Sequence, residues 1–150
     1  HYTRVDLANA KRIMHALEVC IQTGRPFSEL HTGQTKQRPF NIVKIGLNRE
    51  REELYDRINH RVLQMIDEGL EEEARGLYPQ RELNALNTVG YKEMFNYFDG
   101  VWTRDFAIQM IQQNSRRYAK KQLTWFNRDP EIHWFHPDDH DGIFKLISSL

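Results

Sequence analysis

The sequence predicts a mainly α-helical fold with one or two short strands, and three observations lead there. Apolar residues recur at helical spacing through most of the 150 residues. Only two short runs, residues 40–47 and 132–135, are β-branched and partly alternating in the manner of strands. There is no internal repeat and no low-complexity tract. Two short strands do not make a stable sheet alone, so the fold is either mainly α or part of a larger α/β protein whose remaining strands lie outside this sequence.

The elements follow in order. Asp6 is placed to cap a first helix in which Leu7, Ala10, Ile13, Met14, Leu17 and Ile21 form the apolar stripe, Gly24 the stop and Pro26 the barrier beyond. Residues 24–40 collect Gly24, Pro26, Ser28, Gly33, Thr35 and Pro39 and read as a connector or mobile loop. Residues 40–47 are the best strand. A long helix starts near Arg49, with Leu54, Ile58, Val62, Met65 and Ile66 on one side, and Gly69 interrupts it. Leu70, Ala74 and Leu77 form a shorter helix with an acidic face that ends near Pro79. Asn84, Asn87 and Gly90 mark turns before a short helix over residues 91–98, closed by Asp99 and Gly100. Thr103 opens another long helix whose expected apolar face is Phe106, Ile108, Met110, Ile111, Tyr118, Ala119, Leu123 and Trp125, ended by Asp129 and Pro130. A second strand over residues 132–135 and a closing helix over residues 143–150 complete the chain.

Composition narrows the function classes. Three Trp, six Tyr and eight Phe are too many for a chain that buries nothing. The apolar runs fall far short of the roughly 20 residues of a membrane span, and the N-terminus lacks a signal-peptide pattern, so a soluble, cytoplasmic protein without a membrane partner is expected. The single cysteine, Cys20, excludes an intramolecular disulfide and reads as a core thiol. Lys and Arg number 21 against 21 Asp and Glu, a formal net charge of zero. That neutrality conceals polarity. Residues 48–78 hold nine acids against five arginines, a net of −4, whereas residues 115–128 hold five basic residues and no acid, a net of +5.

Arg116, Arg117, Lys120 and Lys121 form like-charge pairs one helical turn apart, so the stripe is a poor ion-paired surface and a good one for anions. Gln112, Gln113, Asn114, Ser115 and Gln122 border it, with Trp125 and Phe126 a turn further on. Cations, amides and aromatics together suit a phosphate backbone with base stacking, and a solvated helix face is the alternative. Arg57 and Arg61, also a turn apart, could grip a diphosphate or pair with Glu53 and Asp56. Thr88, Val89, Gly90, Tyr91 and Lys92 place a glycine at a helix entrance, where backbone N–H groups can meet an anion or simply form a turn. His133, His136, Asp138, Asp139 and His140 read as an exposed polar turn rather than a metal centre. His15 and His60 read as helix-surface residues. No P-loop, dinucleotide fingerprint, nucleophile elbow or H-E-x-x-H motif is present in these residues.

Four of these segments occur here in the order found in tRNA dimethylallyltransferases. They are residues 11–19 (KRIMHALEV), Arg57-Ile58 through Arg61-Val62 to Gly69-Leu70 and Glu73, residues 89–93 (VGYKE) and residues 116–126 (RRYAKKQLTWF). The chain resembles that family from about Asp6 to Trp134. The resemblance implies the C-terminal portion of an α/β P-loop-type transferase with part of its helical insertion: residues 1–25 as the end of the anticodon-stem-binding insertion, 26–40 as a connector and 41–150 as part of the catalytic core. It implies transfer of a dimethylallyl group from dimethylallyl diphosphate to the exocyclic amine of the adenine beside the tRNA anticodon. The P-loop, the catalytic aspartate and the Mg²⁺ ligands would lie in the other half, leaving this portion inactive alone and the full enzyme monomeric.

By the same resemblance Arg61 is the diphosphate-stabilising residue and Arg57 its support. The tRNA contacts implied are Lys11, Arg12 and His15; Thr88, Val89, Gly90, Tyr91 and Lys92; and Arg116, Arg117, Lys120, Lys121, Gln122, Thr124, Trp125 and Asn127. His15 and Asn127 stand where the family commonly has Arg, and each removes a phosphate contact. Two other functions compete: a helical RNA-binding module without catalysis, and a structural domain whose basic stripe meets an acidic protein.

Overall fold

The computed structural model describes residues 8–30 and 38–149, in two units, His1–Asn41 and Ile42–Leu150. In the first unit, Asn9 caps helix α1 (Ala10–Thr23): its side chain accepts the Arg12 N–H at 3.2 Å, satisfying one of the free donors of the first turn. Asp6, the expected cap, lies outside the described residues. Gly24 closes α1 in the left-handed region at φ +65°, where its N–H reaches the Cys20 carbonyl at 2.9 Å. Of the expected stripe, Ile13 is half-buried, whereas Met14, Leu17 and Ile21 are exposed; Ala16 is the buried residue. The expected connector contains a helical turn, α2 (Phe27–Leu30), whose first N–H donates to the half-buried Cys20 Sγ at 3.2 Å.

The second unit carries a parallel pair of strands, β1 (Lys44–Leu47) and β2 (Ile132–Phe135), in register from Lys44 against Ile132 to Leu47 against Phe135. β1 is shorter than the apolar run that predicted it because β2 offers only four partners. Gly46 lies opposite Trp134, and a Cβ there would come within 2.6 Å of the indole, so this glycine answers to a close approach. Lys44 fixes one end of the pair through Asp129 (2.7 Å) and Glu131 (2.6 Å). Beyond the other end, Arg49 pairs with Glu53 and reaches Asp138 at 3.5 Å, while His136 Nε2 lies 3.3 Å from Glu53. The His136 bond, and then Arg49, hold the Glu53 carboxyl below its ordinary pKa.

A parallel pair needs a long crossover, and here it is helical: α3 (Arg51–Asp67), α4 (Leu70–Leu77), α5 (Tyr91–Phe98) and α6 (Arg104–Phe126). Gly69 at φ +103° makes the corner between α3 and α4. Val62, Leu70, Ala74, Met94, Phe95 and Ile111 form the core where these four helices meet. Thr103 caps α6 as expected, accepting the Phe106 N–H at 3.3 Å. The expected apolar face of α6 does not hold along its length. Ala107 and Ile111 are buried, but Phe106, at the start of the helix, and Tyr118 and Trp125, toward its end, are exposed. α5, eight residues and about 12 Å, cannot flank the whole of an α6 of 23 residues and about 34 Å; toward the end of α6 it is α3 that meets it, through Asn59 and Arg116, and Tyr118 and Trp125 stay exposed.

The closing helix α7 (His140–Ser148) starts before residue 143 because Asp139 caps it, accepting the Gly142 N–H at 3.0 Å. Among the described residues no helix is long and apolar enough to cross a membrane.

Candidate functional site

The second half of α6 is where the sequence concentrates positive charge, and the helix sorts that charge onto two sides. Arg117, Lys120, Lys121 and Arg128 line an open groove of about 430 Å³ together with Thr124 and Trp125. Among the described residues none of these four cations is in an ion pair. Arg116 does not share the groove: it is half-buried, its guanidinium donates to Asn59 Oδ1 on α3, and it lies 5.9 Å from the Tyr55 ring centroid. Its role there is to tie α3 to α6. Gln112 does likewise, donating to the Asn59 carbonyl at 3.3 Å. Two of the side chains expected to border the stripe therefore face protein, since Asn114 is held by Glu93 at 2.7 Å.

Trp125 is 65% exposed and meets Phe126 edge to face at 5.0 Å. It also lines a second cavity of about 940 Å³ with Phe126, Gln122, Arg57 and the two strands. An exposed indole between a basic groove and an apolar cavity can stack a planar group while the cations hold the charge attached to it. Asn127 ends α6, exposed, with its N–H on the Leu123 carbonyl at 2.9 Å.

Arg57 and Arg61 project from α3 one turn apart, both exposed, and line a groove of about 620 Å³ along that helix. Neither is in an ion pair among the described residues, although α3 carries Glu52, Glu53 and Asp56. Glu53, a candidate partner, is taken by Arg49 and His136. Arg57 lines both this groove and the larger cavity, which Arg61 does not. Two unpaired guanidinium groups at this spacing present paired donors to an anion such as a diphosphate.

The turn entering α5 is held from beneath. Gly90 adopts φ +109°, open to glycine and strained for other residues, and is itself buried. Its N–H donates to Glu93 Oε2 at 2.8 Å, the return arm of a capping box. Thr88, Val89 and Lys92 are exposed on this turn, and Tyr91 donates its hydroxyl to Glu73, which raises the phenol's pKa. Lys11, Arg12 and His15 are exposed on α1 in the first unit, and the His15 ring meets Phe27 edge-on at 6.0 Å. Glu93 escaped the reading of single residues; the signal for it is a glutamate three positions after a glycine at a helix start. Arg128 in the groove was legible only as part of the charge count.

Among the described residues no three His, Cys, Asp or Glu side chains converge as a metal site. His136 and Asp139 serve Glu53 and the α7 cap instead.

The family model described as IPP transferase matches residues 1–129. The chain is 61% identical over 148 residues to tRNA dimethylallyltransferase 2 of Parabacteroides distasonis, covering 99% of this chain and 50% of that protein. It is 62% identical over 149 residues to tRNA dimethylallyltransferase 2 of Porphyromonas gingivalis, with the same two coverages. The solved structure of the full-length tRNA isopentenylpyrophosphate transferase from Bacillus halodurans superposes with a TM-score of 0.66 at 40% identity, over 98% of this chain and 46% of that one. The corresponding transferase of Staphylococcus epidermidis gives 0.64 at 29% identity, over 98% and 50%. The chain thus spans about half the length of the curated relatives it matches. With its mostly helical fold, its parallel strand pair and a match over residues 1–129, the chain belongs to the IPP transferase family.

Proposed function

We propose that these residues are the tRNA-contacting and diphosphate-supporting part of a tRNA dimethylallyltransferase, which moves a dimethylallyl group from dimethylallyl diphosphate to the exocyclic amine of an adenine beside the anticodon. The observation that carries this reading is the α6 groove, in which four unpaired cations flank an exposed tryptophan. An adenine amine inside a stacked loop is out of reach, so the enzyme must extrude the base and hold the backbone around it. Arg117, Lys120, Lys121 and Arg128 hold phosphates, Trp125 offers a stacking face, and the Gly90 turn with Lys92 approaches the backbone.

As the allylic carbon leaves the diphosphate, negative charge gathers on the departing oxygens. Arg61 donates to them, with Arg57 beside it, and this charge stabilisation lowers the barrier. On this reading the carboxylate that activates the amine and the ligands of Mg²⁺ are supplied by residues other than these, and these residues by themselves bind RNA without turnover. A binding module without chemistry accounts for the α6 groove but not for two unpaired arginines on the acidic α3.

The test is affinity for an anticodon stem-loop as a function of salt. Four phosphate contacts give a log–log slope of about −3 to −4. A slope near zero would overturn both the transferase reading and the binding-module reading.

A further inference from the structure

We propose that Glu93 is a positioning residue that locks the Gly90 turn to the basic side of α6 through Asn114, so that two separate segments meet RNA as one surface. This rests on the RNA-contacting role assigned above. Glu93 is 2% exposed and is the buried charged side chain among the described residues. Its Oε2 accepts the Gly90 N–H at 2.8 Å and its Oε1 accepts Asn114 Nδ2 at 2.7 Å. Asn114 Oδ1 then accepts from Arg117 Nη1 at 3.2 Å.

The order of these bonds is chemically directed. A carboxylate only accepts, so Asn114 must turn its NH₂ toward Glu93, and that leaves its oxygen for the guanidinium. The path runs from a buried backbone amide in the turn to an exposed cation in the α6 groove, without a break. A buried carboxylate is costly unless it is bonded. Glu93 has no cation against it among the described residues, so the two donors, together with the N-terminal end of α5, are what keep it in place.

A capping role alone does not need the carboxylate, because glutamine closes the same box. The proposal does need it. In Glu93→Gln the carbonyl can stay on Gly90 while the new NH₂ faces the Asn114 amide. Asn114 must then rotate, which sets its own NH₂ against Arg117. Adding Asn114→Asp reverses the donors: the carboxylate at position 114 accepts from both sides, and the total charge is unchanged.

The experiment measures stem-loop affinity for the wild-type chain, E93Q and E93Q/N114D, with melting temperature recorded alongside. E93Q is expected to bind about tenfold more weakly, the factor that loss of a hydrogen bond to a charged group carries. E93Q/N114D is expected to recover part of that loss, the carboxylate at position 114 restoring the path while pairing with Arg117. Equal binding by E93Q and wild type overturns the proposal, as does a double variant no better than E93Q. If E93Q loses its fold, Asn114→Ala, which cuts the path on its exposed side, takes its place with the same expected loss, and unchanged binding overturns the proposal. If the wild-type chain itself shows no salt-dependent binding, the RNA-contacting role falls and Glu93's part in it falls too; wild-type binding with an indifferent E93Q sinks the Glu93 proposal alone.

Discussion

Replacing Lys120 and Lys121 together by alanine removes two of the four cations in the α6 groove and leaves the core untouched, since both side chains are exposed. Each phosphate contact contributes about 0.7 to 0.9 to the slope of log affinity against log salt. Two contacts therefore flatten the slope by about 1.6. If the two curves meet at about 1 M salt, that difference amounts to roughly 20-fold weaker binding at 0.15 M. Unfolding cannot mimic the effect. Alanine is the best helix former, and losing Lys121 relieves its like-charge pairing with Arg117 one turn earlier, so the melting temperature should hold or rise. Fluorescence anisotropy with a labelled anticodon stem-loop, titrated from low to high salt, reads slope and affinity together. Parallel curves for variant and wild type, or no change in affinity, would refute the assignment of these lysines to phosphates.

Other expectations rest on stability. Met94 is fully buried in the core with Val62, Leu70, Ala74, Phe95 and Ile111, so Met94→Ala should cost about 2 to 5 kcal/mol in chemical denaturation; a loss below about 1 kcal/mol would mean that the helices do not meet as described. Glu71 lies between Arg104 at 2.8 Å and Arg75 at 3.1 Å, and these bonds, Arg104 first, hold its carboxyl below the ordinary value of 4.5. Its depressed pKa means that the unfolded chain binds the proton more readily, so the stability it contributes is present above pH 4.5 and lost as pH falls through the folded value. Melting temperature should therefore decline on acidification below pH 4.5, and Glu71→Gln should decline less steeply; identical acid slopes would contradict the pairing.

Much of this was legible in the residues, for reasons that differ by element. Gly24, Gly69 and Thr103 announce helix ends because few residues suit those positions, and the structure uses all three there. The core positions Val62, Leu70, Ala74 and Ile111 followed from helical spacing alone. What periodicity does not carry is which stretch of a helix has a neighbour. Tyr118 and Trp125 fit the apolar stripe of α6 but lie beyond the reach of the short α5, and they stay exposed. Charge counting likewise could not tell Arg116 from Arg117. One residue of helix rotation points the first at Asn59 and Tyr55 and the second into the groove. Arg57 and Arg61 were ambiguous in sequence because Glu53 stands a turn before Arg57; Arg49, a turn before Glu53, is a local competitor for that carboxylate, and only the fold brings His136 to share it. Asp139 read as part of a polar turn because a cap is visible only once the helix start is known.

The central claim is a division of labour, with α3 serving the diphosphate and α6 the RNA. Arg61→Ala in a transferase of the relatives' full length carrying these residues tests it most directly, with prenyl transfer and stem-loop affinity measured on the same preparation. Removing one preorganised donor to a developing charge lowers turnover by about 100- to 1,000-fold, so the account predicts a loss of that order with RNA affinity within about twofold of wild type. Equal losses in turnover and RNA affinity, or full turnover without the guanidinium, would contradict it.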